Sequence, residues 1–237
     1  ATILVKQKTG ERAVFFERAT ATEPEFLEAH KQLIESAYIL HINGRHRQLM
    51  RSAMAVAKEV GTIISLDGGA QRYDKDMKPI TEASHIVIVA RDYAEKYTGT
   101  TNLEDACRII HERGAFIAGV TDGANGSYFV WPDGTSYRCE PFSQATVVDT
   151  TGAGDSFHGA FLYMLTKILC KIADGTNTST MNETSQSLNA IDLLHSCAHE
   201  DLEKAATFAS AVAALNTQGI GGRSPLPSLE DIKALIG

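Results

Sequence analysis

The sequence is poor in cysteine. Its four cysteines, Cys107, Cys139, Cys170 and Cys197, form no Cys-x-x-Cys pair. In a chain of this size such scattered cysteines read as buried thiols of a reducing compartment, not a disulfide frame. No apolar run approaches the ~20 residues of a membrane span, which excludes a spanning helix. Basic residues are outnumbered, with 22 Lys and Arg against 29 Asp and Glu and a net charge of −7. A broad nucleic-acid face and attraction to an anionic membrane are therefore not expected, although a local anion site remains open. The opening ATILVKQKTGER has no basic stretch followed by an apolar one, so a cytoplasmic setting is the expectation. No Gly-x-x-x-x-Gly-Lys-[Ser/Thr] occurs, which sets aside a P-loop. No Gly-x-Gly-x-x-Gly follows a strand either, because GAGDSF lacks the third glycine of a dinucleotide fingerprint.

What is present is an ordinary globular composition. The 237 residues are 43% hydrophobic and 22% charged, enough for a substantial core. Thr2–Val5 and Ala13–Phe16 flank Gly10 as a strand-turn-strand hairpin. A lone hairpin is marginal in water and must pair with something else. Short apolar strands follow at 37–42, 62–66, 85–89 and 115–120, with helical patterns at 25–35, 48–60 and 103–112 between them. A second hairpin surrounds Pro132-Asp133-Gly134. Apolar helices are expected at 159–171 and 203–216, with a short last one at 228–235. Alternation of this kind predicts an α/β fold, a mainly parallel sheet with helices on both faces. Ligands in such sheets bind beyond the carboxyl ends of the strands, where the segments at Asp67, Thr121 and Asp149 fall. The run 175–189 is mostly Ser, Thr and Asn and is expected to be a mobile loop.

The stretch VVDTTGAGDSFHGAFL, residues 147–162, carries the chemistry. With Val147–Val148 ending a strand and a helix opening at Ala153, the amides of Gly152, Ala153 and Gly154 lie in a first turn without intrahelical partners. The helix dipole favours an anion there, and glycine lets the backbone approach it closely. Asp155 sits just inside this cradle. A carboxylate beside an anion site is unfavourable unless it has a task, and accepting a proton from a hydroxyl that attacks a phosphoryl group is a natural one. The plain alternative is a turn with an acidic first-turn residue favoured by the dipole.

DTTGAGDSF resembles the C-terminal signature of the ribokinase-like (PfkB) carbohydrate kinases. VTDGANGSYFV at 120–130 is similar to the nucleotide-side strand and Gly turn of that family. AYILHINGR at 37–45 and IVIVARDYAEKYTG at 86–99 are closest in look to its ketohexokinase branch, and ALNTQGIGGRSPLPS at 214–228 resembles its C-terminal segment. The resemblance covers most of the chain. It implies the ribokinase-like fold, with a lid hairpin at 1–20 and a nucleotide-binding and catalytic domain at 21–237. It also implies transfer of the γ-phosphoryl group of ATP to a hydroxyl of a small-molecule sugar, a ketose being the candidate. Asp155 would be the general base, and Gly152, Ala153 and Gly154 the anion hole. Thr121, Gly123 and Gly126 would line the nucleotide, and Asn216 would lie near adenine. Asp149 and Thr151 would help hold K⁺, with the 221–224 loop, and Mg²⁺ would accompany ATP. A homodimer through the lid hairpin is implied too. Two departures stand out. Where family members carry Asn-x-x-Glu, linked to Mg²⁺ and phosphate placement, this sequence has Ala90 and Tyr93. Full members also begin with a strand bearing a sugar-binding Asp and a Gly-Gly signature, whereas this sequence begins in the hairpin. It is then either part of a longer product or a shortened chain. A nucleoside kinase of the same fold and a non-catalytic nucleotide-binding pseudokinase are the alternative readings.

Other residues have plainer readings. His195 and His199 stand at i, i+4 spacing with Cys197 between them, but Cys197 points away on a helix, so a solvated helix is preferred over zinc. Arg45 lies near the ligand edge and is a candidate for substrate or phosphate. Asp67 with its two glycines reads as a turn. Phe15 and Phe16 read as hairpin packing, between subunits if the apolar face is exposed.

Overall fold

Short apolar strands bury both faces, so each needs a helical layer above and below. The computed structural model describes residues 2–6, 12–15, 20–142, 147–177 and 189–237. Strands β1 (Thr2–Val5) and β2 (Arg12–Phe15) form a separate antiparallel pair. The main sheet has the order β3 (Ile39–Ile42), β4 (Ile63–Gly68), β5 (Ile86–Ala90), β6 (Ile117–Thr121), β7 (Ser127–Val130) and β8 (Ser136–Cys139). The first four are parallel, and β7 and β8 are added antiparallel. This is the ribokinase-like α/β architecture.

Two apolar layers clothe the sheet. Ile64, Leu66, Val87, Val89 and Val120 face one side. There they meet α1 (Glu28–Glu35), α2 (Arg47–Val60), α3 (Lys78–Glu82), α4 (Arg91–Thr98) and α5 (Leu103–Glu112). Met50, Ala53, Met54 and Ala57 form the buried stripe of α2 at helical spacing, and Gly61 closes that helix at φ +76°. Asn102 caps α5 by accepting the Glu104 and Asp105 amides. Ile63, Ile86, Ile88 and Ile117 face the other side, against α6 (Ala153–Asn177), α7 (Ala190–His195), α8 (His199–Asn216) and α9 (Leu229–Ile236). Phe129 lies in a near-parallel stack there, 4.9 Å from Trp131 and 5.8 Å from Phe161 between ring centroids. That stack seats α6 on the sheet.

Several expectations shift. Val147–Val148 is not a strand. It is an extended segment whose Val148 and Asp149 amides donate to the Thr217 carbonyl at 2.8 and 3.1 Å. Helix α6 opens at Ala153 and continues through Asn177, because its apolar stripe runs on past Lys171. Of the expected 175–189 loop, 175–177 are helical and Asn189 caps α7, and 178–188 lie outside the described residues. So do Gly10 and Phe16. His195 ends α7 and His199 begins α8, so the two do not share a helix. His195 packs on Phe116, and His199 Nε2 lies 3.0 Å from Asp133 Oδ2.

Phe129→Ala is expected to cost about 3–5 kcal/mol, the range for a buried aromatic whose cavity cannot collapse. Urea unfolding followed by Trp131 fluorescence measures it directly.

Candidate active site

Register brings the strand ends to one edge. Ile42 pairs with Leu66, Asp67 with Ile88, and Ala90 with Thr121. Asn43-Gly44-Arg45, Asp67-Gly68, Arg91 and Asp122 therefore leave the sheet side by side. The start of α6 reaches the same edge, because His158 on its second turn contacts Asp67 at 3.3 Å.

The turn before α6 is built around the buried carboxylate of Asp149. Its Oδ1 accepts the Thr151 amide at 2.8 Å, and its Oδ2 accepts the Gly221 amide at 2.9 Å. Its side chain so joins the turn to the 219–222 loop, and its own amide ties both to the Thr217 carbonyl at the end of α8. Gly152 has φ +82°, and a Cβ there would stand 2.4 Å from Gly222 Cα. Only glycine allows both the angle and the approach. The Ala153 amide donates to the Thr150 carbonyl at 3.3 Å and the Ser156 amide to the Gly152 carbonyl at 2.8 Å. The amides of Gly152, Gly154 and Asp155 have no backbone acceptor among the described residues. The cradle is therefore centred on Gly152 and Gly154, with Ala153 already engaged. Asp155, in the first turn of α6, is exposed at its rim.

The nucleotide-side candidates lie at the end of β6. Thr121 closes that strand, and the turn Gly123–Asn125 follows. Gly123 has φ +55°. Gly126, at φ +85°, faces the Cys139 carbonyl, which a Cβ would meet at 2.4 Å. Close packing against β8 is thus sufficient reason for glycine there. Asp122 accepts from Arg91 at 2.9 Å and from Asn125 at 3.1 Å, which rigidifies the turn. Asn216, at the end of α8, is fully buried. Neither atom of its amide has a partner among the described residues, and in this conformation it lines no open surface.

Ala90 and Tyr93 supply no metal ligand. Tyr93 is buried, with its hydroxyl 2.7 Å from Thr81 Oγ1, and burial pushes its pKa up to about 12. Among the described residues no group of three His, Cys, Asp or Glu is arranged to hold a metal. Arg45 is exposed, its amide donates to Asn43 Oδ1 at 3.2 Å, and its guanidinium has no partner among the described residues.

Asp67 is more than a turn residue. It is buried between His158 and Arg72, whose Nη1 lies 3.5 Å from Oδ2. Burial alone would raise its pKa. The contact with His158 and the nearby Arg72 guanidinium outweigh this and hold the carboxyl below the usual carboxylate range. Sequence reasoning missed His158. The available signal was a polar residue inside the apolar run FHGAFL, where a helix facing a sheet buries its side chain.

The chain matches the model for the pfkB family carbohydrate kinases over residues 1–229. It belongs to that family. Among its curated relatives, 5-dehydro-2-deoxygluconokinase of Shouchella clausii is 23% identical over 219 residues, 86% of this chain and 57% of that protein. Fructokinase-2 of Solanum lycopersicum is 29% identical over 184 residues, 68% of this chain and 52% of that protein. This family member therefore spans little more than half the length of either. Its fold matches a Vibrio cholerae fructokinase solved with fructose, ADP and calcium ion, with a TM-score of 0.70 at 20% identity, over 99% of this chain and 72% of that one.

Two outcomes are expected of this pfkB-family site. Gly152→Ala, strained in angle and blocked by Gly222, should lower stability by about 2–3 kcal/mol and weaken nucleotide binding, read by thermal unfolding and calorimetric titration with ADP. Asp67→Asn tests the depressed carboxyl. Its ionised form is favoured in the folded state, so its contribution is present above the unfolded value of about 3.9 and lost as pH falls through the folded one. The stability gap between wild type and Asp67→Asn should narrow between about pH 5 and pH 2 in urea titrations.

Proposed function

We propose that this chain carries the nucleotide-binding and catalytic part of an ATP-dependent kinase that phosphorylates a hydroxyl of a small-molecule sugar. The observation that carries the reading is Asp155. It is an exposed carboxylate in the first turn of a helix whose preceding glycine amides have no backbone acceptor among the described residues, at the ligand edge of a parallel sheet. In the proposed step a substrate hydroxyl oxygen attacks the γ-phosphorus, its proton passes to Asp155, and the bond to the β–γ bridging oxygen breaks to release ADP. The amides of Gly152 and Gly154 and the positive end of α6 take up charge on the transferring group. Thr121, Gly123 and Gly126 border the nucleotide, and Asn216 joins the adenine side only if α8 and its neighbours part there. Arg45 faces the acceptor side.

Mg²⁺ bound with the nucleotide phosphates would supply charge neutralisation, which suits a site with no metal cage among the described residues. The residues around Asp149 fit a monovalent cation such as K⁺. Thr151 Oγ1 is buried without a partner among the described residues, two positions from a buried carboxylate. The fructokinase relatives support a ketose as acceptor. The hairpin bears Leu4, Ala13 and Phe15 exposed on one face, which supports its pairing with a second copy.

Acceptor-dependent ADP release, measured with Mg²⁺ and K⁺ over ketoses, aldoses and nucleosides, tests the reading. A ketose should give the highest rate. Asp155→Asn should lower kcat by roughly 10²–10⁴-fold with little change in ATP affinity. Unchanged turnover in that variant would remove Asp155 from the chemistry, and a preference for nucleosides would reassign the substrate class.

A further inference from the structure

The mechanism above leaves one buried polar cluster unused, and it lies directly behind the proposed base. His158 follows Asp155 by three residues on α6, one helical turn along. Its side chain is 5% exposed. Nε2 stands 3.3 Å from Asp67 Oδ1, while Nδ1 is buried without a partner among the described residues. The imidazole is thus oriented from one side. Asp67 leaves the end of β4, a strand buried along its whole length, so it is a fixed point. Arg72 lies against its other oxygen. His41, on β3, completes the surroundings, with its ring centroid 5.7 Å from that of His158 and its Nδ1 3.3 Å from Ser65 Oγ.

The apolar stripe of α6, with Phe157, Ala160, Phe161 and Leu165, seats the helix against the sheet and its neighbours. At the first two turns a polar contact adds a directional restraint to that packing. A charged, buried, strand-mounted partner fixes rotation, because turning the helix would leave Asp67 buried and unpaired.

We propose that Asp67 and His158 are positioning residues. The strand-borne carboxylate, braced by Arg72, holds the His158 imidazole and so sets the rotation of the first two turns of α6 and the direction in which Asp155 points. This inference rests on the reading of Asp155 as the base. It goes beyond that reading in assigning a role to two residues that the proposed step does not use. With Asp67 ionised, the nitrogen facing it carries the proton. The requirement is a donor at that place, not an imidazole as such. His158→Gln presents an amide N–H at a similar reach, while His158→Leu presents none.

The test uses the whole chain and two independent measurements. In acceptor-dependent ADP release, His158→Leu should lower kcat about tenfold or more while KM for ATP stays within about threefold, and His158→Gln should recover most of the loss. In the Asp155→Asn background the same His158→Leu change should add little, because its effect acts through Asp155. A loss that multiplies on that background, or that falls on KM alone, would overturn the positioning role. Hydrogen exchange of the amides at 155–160 forms the second arm. It should quicken about tenfold in His158→Leu and stay near wild type in His158→Gln. Unchanged exchange in His158→Leu would overturn the clamp. Should His158→Leu fail to fold, Asp67→Asn, which keeps the shape and removes the charge, should move kcat and exchange in the same direction, and no movement in either would sink the proposal. If wild type released no ADP with any acceptor, the kinase reading would fall, while the exchange arm would still decide the clamp.

Discussion

The candidate site depends on one buried carboxylate spanning two backbone segments. Asp149 accepts the Thr151 amide with one oxygen and the Gly221 amide with the other. A buried carboxylate must be satisfied or its desolvation is uncompensated, so neither segment can drift without cost. The same residue is joined through its own amide to the Thr217 carbonyl at the end of α8. The turn that opens α6, the end of α8 and the 219–222 loop thus move as one unit. Gly152 and Gly222 lie in backbone contact at the centre of that unit, where no side chain fits.

The candidate site hangs from that unit and from the sheet below it. The Phe129, Trp131 and Phe161 stack sets how far α6 stands from the strands. Asp67 meets α6 from the strand end and adds a directional restraint to an otherwise greasy contact. Parallel register then places the ends of β3 to β6 side by side, so residues far apart in sequence share one rim. The polar loops at that rim need not form a core of their own. They are held by elements whose stability comes from burial elsewhere, which is how an α/β sheet affords mobile chemistry on a rigid support.

Much of this was legible in the chain itself. The period of apolar residues shows α2 and α5 and every strand of the main sheet to within a few residues, because a face that must be buried writes its spacing into the sequence. DTTGAGD marks a glycine turn opening a helix with an acid in its first turn, because both are constrained by local backbone geometry. The errors fall where local rules compete with distant ones. Val147–Val148 has strand chemistry, yet its amides pair with the end of α8. His195 and His199 have helical spacing, yet a turn at Ser196 divides them.

The sequence by itself determined the family, the layered fold and the identity of the acid at the helix start. Those rest on periodicity and on short motifs, which are properties of neighbours along the chain. Only the tertiary structure decided which buried polar groups meet. Asp67 reads as a turn until His158, 91 positions later, is brought against it, and Asp149 reads as one acid of a motif until Gly221 donates to it. Their partners are chosen by how strands and helices stack, and a pairing across such distances leaves no local pattern to read.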